Sequence, residues 1–189
     1  MFENLENETP GDGKLLISEP FLYDPNFRRS VILLCEHNDT GTIGFILNHR
    51  LDIFLADVLE VETLLTVPLF VGGPVQKNSL HFIHNIDALI STAERVTDNV
   101  YWGGDFEILK EMLACNSLEV EKIRFFLGYS GWGGGQLEDE IEEKSWIVTD
   151  ANEEIVFQED NDKMWKSILK NKGGKYKLLA NSPESPFLN

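Results

Sequence analysis

The chain is poor in basic residues, with 16 Lys and Arg against 32 Asp and Glu in 189 residues, which gives a net charge of −16. Nonspecific binding to nucleic acid depends on neutralising many phosphates with Lys and Arg, and the sequence contains no basic run. A field of this sign also repels anionic membrane surfaces. The composition therefore disfavours direct contact with nucleic acid and with membranes.

Cysteines and long apolar segments are scarce as well. The two cysteines, Cys35 and Cys115, form no CxxC motif, and we interpret them as reduced, packed thiols. No apolar run approaches the roughly 20 residues that span a bilayer. The first residues, 1–13, show neither the basic part nor the apolar part of a signal peptide. We therefore expect a cytoplasmic protein with no membrane span.

What the sequence does contain suits one globular domain with its own core, since 42% of the residues are hydrophobic. Apolar runs and alternation predict strands, and apolar residues at helical spacing predict helices. The predicted strands are 14–18, 30–36, 42–47, 69–71, 79–86, 100–102, 123–129, 146–148 and 154–157. The predicted helices are 53–65, 106–113, 136–143 and 162–170.

The order of these elements indicates the fold class. Two stretches, 14–47 and 69–102, contain only strands, which favours α+β over a strictly alternating α/β fold. The residues between 30 and 47 read as a hairpin with an Asn-Asp-Thr-Gly turn. We predict a single compact α+β domain over 13–181, preceded by a flexible leader, 1–12, and followed by a tail, 182–189.

Six segments taken in order resemble the AlgH/YqgE family of bacterial proteins. They are GKLLIS at 13–18, PNFRRSV at 25–31, GTIGFILN at 41–48, VGGPV at 71–75, WGGD at 102–105, and GYSGW at 128–132 with QLE at 136–138. The resemblance implies a twisted, mostly antiparallel sheet with several packed helices. One family name comes from a proposed role in regulating alginate production, which suggests a transcriptional regulator, although the negative charge disfavours direct DNA binding. The resemblance supplies no catalytic residue.

The Gly-rich segment 128–135, GYSGWGGG, is the most suggestive motif. It follows a predicted strand and precedes a predicted helix, where backbone N–H groups can bind an anion. It lacks the Lys of a phosphate-binding loop, and Trp132 stands where a nucleophile elbow requires Gly. Two interpretations stay open, a tight turn with Trp132 packed on it or a surface for a ligand or partner.

Loops that carry Gly, Pro, Arg and aromatic residues on a rigid sheet are where binding usually occurs. We therefore predict a binding surface from the loops 24–29, 72–74 and 128–136. The predicted ligand- or partner-binding residues are Asn26, Arg28, Arg29, Asn48, Gly72, Gly73, Asp105, Ser130 and Trp132. For the two arginines, an ion pair that ties the loop to the sheet is the other interpretation.

The expected partner is a protein or a small-molecule ligand, and the leading hypothesis is a non-enzymatic binding or regulatory protein. The alternative is an enzyme that acts on a small molecule, with Ser130 or Asp105 in a cleft. A serine hydrolase would also need a His oriented by an acid, and no His has a distinctive acid partner in the sequence. The sequence does not indicate an oligomeric state.

The remaining polar patterns predict no cofactor and no metal. His81 and His84 lie on a predicted strand, where their spacing puts them on opposite faces, so they cannot share one ion. His37 and His49 flank the predicted hairpin, which leaves a three-histidine site as a weaker alternative. The stretch 136–162 holds eleven acids and one Lys, and is either a solvated face or a docking face for a basic partner.

Overall fold

A computed structural model describes residues 8–183 of the chain. Residues 1–7 of the predicted leader and 184–189 of the predicted tail lie outside the described residues. The strands are β1 Lys14–Ser18, β2 Val31–Asn38, β3 Gly41–Ile46, β4 Arg50–Phe54, β5 Pro68–Val71, β6 Val75–His84, β7 Glu94–Thr97, β8 Val100–Trp102, β9 Ile123–Gly133 and β10 Trp146–Asp150. The α-helices are α1 Phe106–Ala114, α2 Gln136–Glu142, α3 Glu153–Phe157, α4 Asn161–Lys172 and α5 Gly174–Leu179, and short 3-10 helices cover Leu55–Asp57, Asp87–Thr92 and Val120–Lys122.

The strands form one curled sheet in the order β10-β1-β2-β3-β9-β6-β8-β7, with β5 added to β9 and β4 added to β5. Every pairing is antiparallel except that of β5 with β9. The prediction of a single α+β domain with a mostly antiparallel sheet is confirmed. The boundaries at 13 and 181 stay predictions.

The long strand β9 organises the sheet. Its first half pairs with β5 and its second half pairs with β3. The strand β6 also pairs with β9, with a shift of register between Val75 and Leu80. The run 123–127, apolar except for the buried Arg124, explains this position, because a strand covered on both faces needs apolar residues in succession. The predicted loop 128–135 is therefore mostly strand, since β9 continues to Gly133.

Three groups of buried side chains fill the two faces of the sheet. The first contains Phe45 and Phe126, whose rings stack on each other, together with Trp165 of α4. The second joins Phe125 of β9 to the apolar stripe of α1, and the third packs α2 against β1, β2 and β10. Along the described chain, the helices are all too short or too polar to cross a bilayer.

Two predicted elements are wrong. The segment 53–65 is the end of β4, one 3-10 turn and a loop, because strand pairing with β5 and the bond from the Leu55 N–H to the Val67 carbonyl (2.9 Å) override its helical spacing. The segment 154–157 is not a strand but part of α3. Asn152 caps this helix by accepting the Ile155 N–H at 2.8 Å.

Candidate functional site

The Gly-rich segment lies in a close crossing of two strand ends. The carbonyl of Gly72, just after β5, accepts the Ser130 hydroxyl at 2.9 Å and the Ile46 N–H at 3.0 Å. A Cβ atom at Gly72 would lie 2.1 Å from the Gly128 carbonyl oxygen, and one at Gly73 would lie 2.3 Å from the Tyr129 carbonyl carbon. These glycines therefore permit a backbone approach that no side chain allows. Ser130 is fully buried, so its hydroxyl joins β9 to the end of β5.

Trp132 is packed rather than presented to solvent, with 5% of its surface exposed. Its ring stacks on Phe27 at 6.0 Å between centroids and meets Trp146 edge-on at 5.9 Å. The indole N–H groups of both tryptophans donate to one carboxylate oxygen of Glu140, Oε2, at 2.9 and 2.8 Å. Trp132 is therefore packed against its neighbours, and ligand or partner binding by this segment stays a prediction.

The loop 24–29 is closed by its own polar groups. The backbone N–H and the amide of Asn26 both donate to Asp24 Oδ1, at 2.8 and 2.9 Å. Arg28 is exposed, and its carbonyl accepts a hydrogen bond from His49 Nε2 at 3.2 Å. Phe27 points the other way and reaches Trp132. The loop therefore presents Asn26 and Arg28 outward while Phe27 anchors it.

Asn48 and Arg29 tie this loop to the rest of the molecule. The Asn48 amide donates to the Arg29 carbonyl at 2.9 Å, and its oxygen accepts the Val31 N–H at 2.8 Å. Arg29 adopts a left-handed backbone conformation, with φ of 49°. Its guanidinium lies 4.9 Å from the Trp165 ring centroid and donates to the Ser182 carbonyl at 2.6 Å. Arg29 thus links the loop to α4 and to the end of the described chain.

Asp105 caps α1, as its position before the helix predicts. Its carboxylate accepts the N–H groups of Glu107 and Ile108 at 3.0 and 3.1 Å. This arrangement satisfies backbone donors that a helix start leaves without partners. The observed geometry gives Asp105 a structural role.

The three predicted loops meet through contacts but do not all line one groove. Gly72 and Gly73 contact the backbone of β9, and the Phe27 ring stacks on the Trp132 ring. A shallow groove of about 390 Å³ beside Tyr129 and Trp132 is completed by the β2–β3 hairpin and Val75, with no lining residue from 24–29. Binding by the nine predicted residues stays a prediction.

A larger groove, of about 690 Å³, lies between the loop after β1, the turn from α2 to β10, and α5. We call it the Tyr23 groove. Its apolar lining includes Phe21, Tyr23, Ile141, Trp146, Tyr176 and Leu179, and its charged lining is Glu19, Glu142, Glu143, Lys144 and Lys175. Tyr23 is 90% exposed. No sequence pattern predicted this groove, although Phe21, Leu22 and Tyr23 between two prolines indicate apolar residues on a loop.

His81 and His84 lie on β6 and contact different partners. His81 packs against Phe45 and Tyr129, with centroids 5.2 and 5.9 Å away. His84 Nε2 lies 2.8 Å from the Gly103 carbonyl, and its Nδ1 accepts the Ile86 N–H at 3.0 Å. Burial lowers the pKa of both imidazoles below the ordinary value. Within residues 8–183, no three His, Cys, Asp or Glu side chains come together in a way that could hold a metal ion.

Comparison with known proteins places the chain in a family. The AlgH-like family model matches residues 15–177. A UPF0301 protein from Cytophaga hutchinsonii is 48% identical over 178 residues, covering 94% of this chain and 98% of that protein. A UPF0301 protein from Chlorobium limicola is 44% identical over 177 residues, covering 94% and 95% of the two chains.

Two solved structures share the fold across nearly the whole chain. The crystal structure of protein DIP2367 from Corynebacterium diphtheriae has a TM-score of 0.79 and 25% identity, covering 96% of this chain and 97% of that one. The solution structure of the AlgH protein from Pseudomonas aeruginosa has a TM-score of 0.70 and 26% identity, covering 95% and 98%. The chain belongs to the AlgH-like family.

Proposed function

We propose that this protein is a non-enzymatic binding protein, and that the Tyr23 groove receives an apolar or aromatic group of a partner protein or small-molecule ligand. The observation that carries the proposal is a contrast between two regions. The hydroxyl of Ser130 and the carboxylate of Asp105 are both engaged in holding the fold, whereas the Tyr23 groove opens to solvent with aromatic and aliphatic walls.

The chemistry of the groove suits recognition. Ligand sites are concave, mostly apolar, and carry a few polar groups that fix orientation. Trp146 and Tyr176 are buried and form the base of the groove, while Tyr23 is almost fully exposed to solvent. Exposed aromatic side chains are frequent anchors of protein interfaces. Lys144 and Lys175 lie in the lining with three glutamates, and this mixture would orient a polar end of the bound group.

The rival hypothesis is an enzyme that uses Ser130. A nucleophile must reach its substrate, and Ser130 is fully buried and its hydroxyl donates a hydrogen bond to the Gly72 carbonyl. Labelling of the intact protein by a fluorophosphonate probe, lost in Ser130→Ala, would contradict the binding proposal. We expect no Ser130-dependent labelling.

A regulatory role, suggested by the family name, is compatible with the proposal if the protein acts through another protein. The charge of −16 disfavours contact with a phosphate backbone. Tight binding to duplex DNA in a gel shift at low salt, where electrostatic binding is strongest, would contradict this form of the proposal.

The test is a titration with an apolar fluorescent probe, anilinonaphthalenesulfonate, together with a panel of aromatic fragments followed by NMR. The variant Tyr23→Ser removes an exposed ring from the groove, and Leu178→Ser is the matched control because Leu178 is 74% exposed on α5 but does not line the groove. We expect Tyr23→Ser to weaken binding about fivefold or more, since one buried aromatic side chain contributes at least about 1 kcal/mol. Equal affinities of the wild type and Tyr23→Ser, or shifts confined to other surfaces, would overturn the assignment.

A further inference from the structure

A second surface, separate from the Tyr23 groove, surrounds the edge strand β4. We call residues 50–67 the β4 lobe. Within residues 8–183, β4 pairs only with β5, and most of its residues are exposed. Ile53 and Phe54 are each 37% exposed, Val58 is 43% exposed and Leu64 is 90% exposed. These are four of the eight large apolar side chains that are exposed in the described part of the chain.

The lobe is held in place by specific bonds. Leu55 is buried, and its N–H donates to the Val67 carbonyl at 2.9 Å, which closes the loop. The Asp57 carboxylate accepts the Phe54 N–H at 2.7 Å. At the far side, the Leu64 N–H donates to Asn116 Oδ1 at 2.6 Å. The exposed apolar side chains are therefore fixed on an ordered backbone, which lowers the entropic cost of binding a partner.

The charge of the lobe is mostly negative, with Arg50 at its start as the one basic residue. Asp52, Asp57, Glu60 and Glu62 are all exposed, and no Lys or Arg occurs between residues 51 and 76. Apolar side chains ringed by carboxylates are complementary to a partner that carries both apolar and basic groups. A second copy of this chain would bring the same four acids against them, so the charge disfavours self-association through this edge.

The backbone adds a geometric requirement. An edge strand presents N–H and C=O groups to the side that no neighbour occupies. An extended peptide can add to such an edge, with main-chain bonds supplying affinity and alternate side chains supplying specificity. The N–H of Phe54 already has a partner in Asp57, so the part of the edge assigned to docking is Arg50–Ile53, where the pairing of β4 with β5 is irregular.

We propose that the β4 lobe docks an extended segment of a partner protein in which apolar and basic residues alternate. The segment adds to β4 as a further strand. Because side chains alternate between the faces of a strand, its apolar side chains contact Ile53 on one face. Its Lys or Arg side chains lie on the other face, towards the carboxylate of Asp52, with Glu62 as a further acid of the lobe. This inference does not depend on the Tyr23 groove.

The experiment uses synthetic peptides as probes against the full chain. An alternating lysine–valine peptide is compared with a glutamate–valine peptide and a lysine–serine peptide, by fluorescence anisotropy and by amide chemical shifts. We expect only the lysine–valine peptide to bind, with shifts at 50–54 and 58–64. Affinity should fall as salt is added, since exposed charges are screened.

Charge variants separate this lobe from the general acidity of the molecule. Asp52→Lys with Glu62→Lys should weaken lysine–valine binding about tenfold or more, an effect equal to about 1.4 kcal/mol. Asp139→Lys with Glu159→Lys, two exposed acids of the stretch 136–162 that do not line the Tyr23 groove, makes the same change in net charge and is the matched control. Equal losses in both double variants, or shifts that map to 136–162, would overturn the proposal.

A third measurement tests whether a second copy of this chain, rather than a different protein, binds the β4 lobe. Sedimentation of the wild type alone should give a monomer at concentrations at which the peptide binds. A dimer that Ile53→Ser dissociates would overturn the inference, because the lobe would then be a self-association surface. Ile53 is exposed, so the Ile53→Ser variant should fold, and circular dichroism checks that it does.

Discussion

Ser130 donates its hydroxyl to the carbonyl oxygen of Gly72 at 2.9 Å, across 58 residues of sequence. The same carbonyl also accepts the Ile46 N–H, so one buried oxygen links β9, the end of β5 and the end of β3. The serine that resembles a nucleophile in the motif GYSGW is thereby a cross-link of the sheet.

The first prediction concerns this bond. Ser130→Ala removes one donor, while the Gly72 carbonyl retains the Ile46 N–H, so the free energy of unfolding should fall by only about 1 kcal/mol. Urea unfolding measures the change, and probe binding in the Tyr23 groove should stay as in the wild type. Loss of binding with unchanged stability would instead give Ser130 a functional role.

The second prediction concerns the glycines at the crossing. Gly72→Ala places a Cβ atom 2.1 Å from the Gly128 carbonyl oxygen. The Gly128 backbone cannot move away from this atom without breaking the pairing of β5 with β9. We expect a loss of about 3 kcal/mol or more, at the upper end for overpacking, or failure to fold. Gly133→Ala in β9 is the control, because its Cβ would meet nothing closer than 3.9 Å. Its unfolding midpoint should be close to that of the wild type, and equal losses in both variants would contradict the explanation.

The local part of the fold followed from the sequence, whereas the long-range part did not. The hairpin of β2 and β3 was predictable because an apolar run, a turn cluster and a second apolar run are adjacent. The segment 53–65 was wrongly predicted as a helix because Leu55, Val58 and Leu59 have helical spacing. Its actual structure depends on pairing with β5, a strand further along the chain. Helical spacing is a local signal that tertiary pairing overrides.

The candidate site was less predictable than the fold. The motif at 128–135 was recognisable, but its burial depends on the close approach of Gly72, which no local pattern encodes. The Tyr23 groove is assembled from a loop near the start of the chain and from α5 near its end. The helix α5 itself went unpredicted, because its six residues are too few to show a helical period.

The third prediction is a pH dependence of stability. His84 accepts the Ile86 N–H at Nδ1, an arrangement that only the neutral ring can make, and burial lowers its pKa below the ordinary value. Since the unfolded chain binds the proton more readily, stability is fully present above the unfolded pKa of about 6.5 and falls as the pH drops through the folded pKa.

Chemical unfolding at a series of pH values between about 7.5 and 5 tests this sign. His49 and His81 also have pKa values lowered by burial, so His84→Asn should reduce the slope without abolishing it. An NMR titration of His84 should give a pKa below that of free histidine. A slope of opposite sign, or a raised pKa for His84, would contradict the assignment.

The fourth prediction concerns Arg124, which is buried in β9 with its guanidinium 4.7 Å from the Phe70 ring centroid. Its terminal nitrogens donate to the Leu47 carbonyl, to Asn161 Oδ1 at 2.9 Å and to the Gln158 carbonyl at 2.6 Å. Burial lowers the pKa of this guanidinium to about 10. One side chain thus joins the end of β3 to the start of α4 through neutral oxygens.

Arg124→Lys keeps the charge but loses the planar fork, since an ammonium cannot reach three acceptors in that geometry and its burial is costly. Arg124→Met leaves the three acceptors without the donor but removes the buried charge, whose desolvation opposes folding. We therefore expect Lys to destabilise at least as much as Met, with a loss of about 3 kcal/mol for Lys. Urea unfolding of both variants, with the exposed Arg95→Met as the control, decides between this account and a simple charge effect, in which Lys would behave like the wild type.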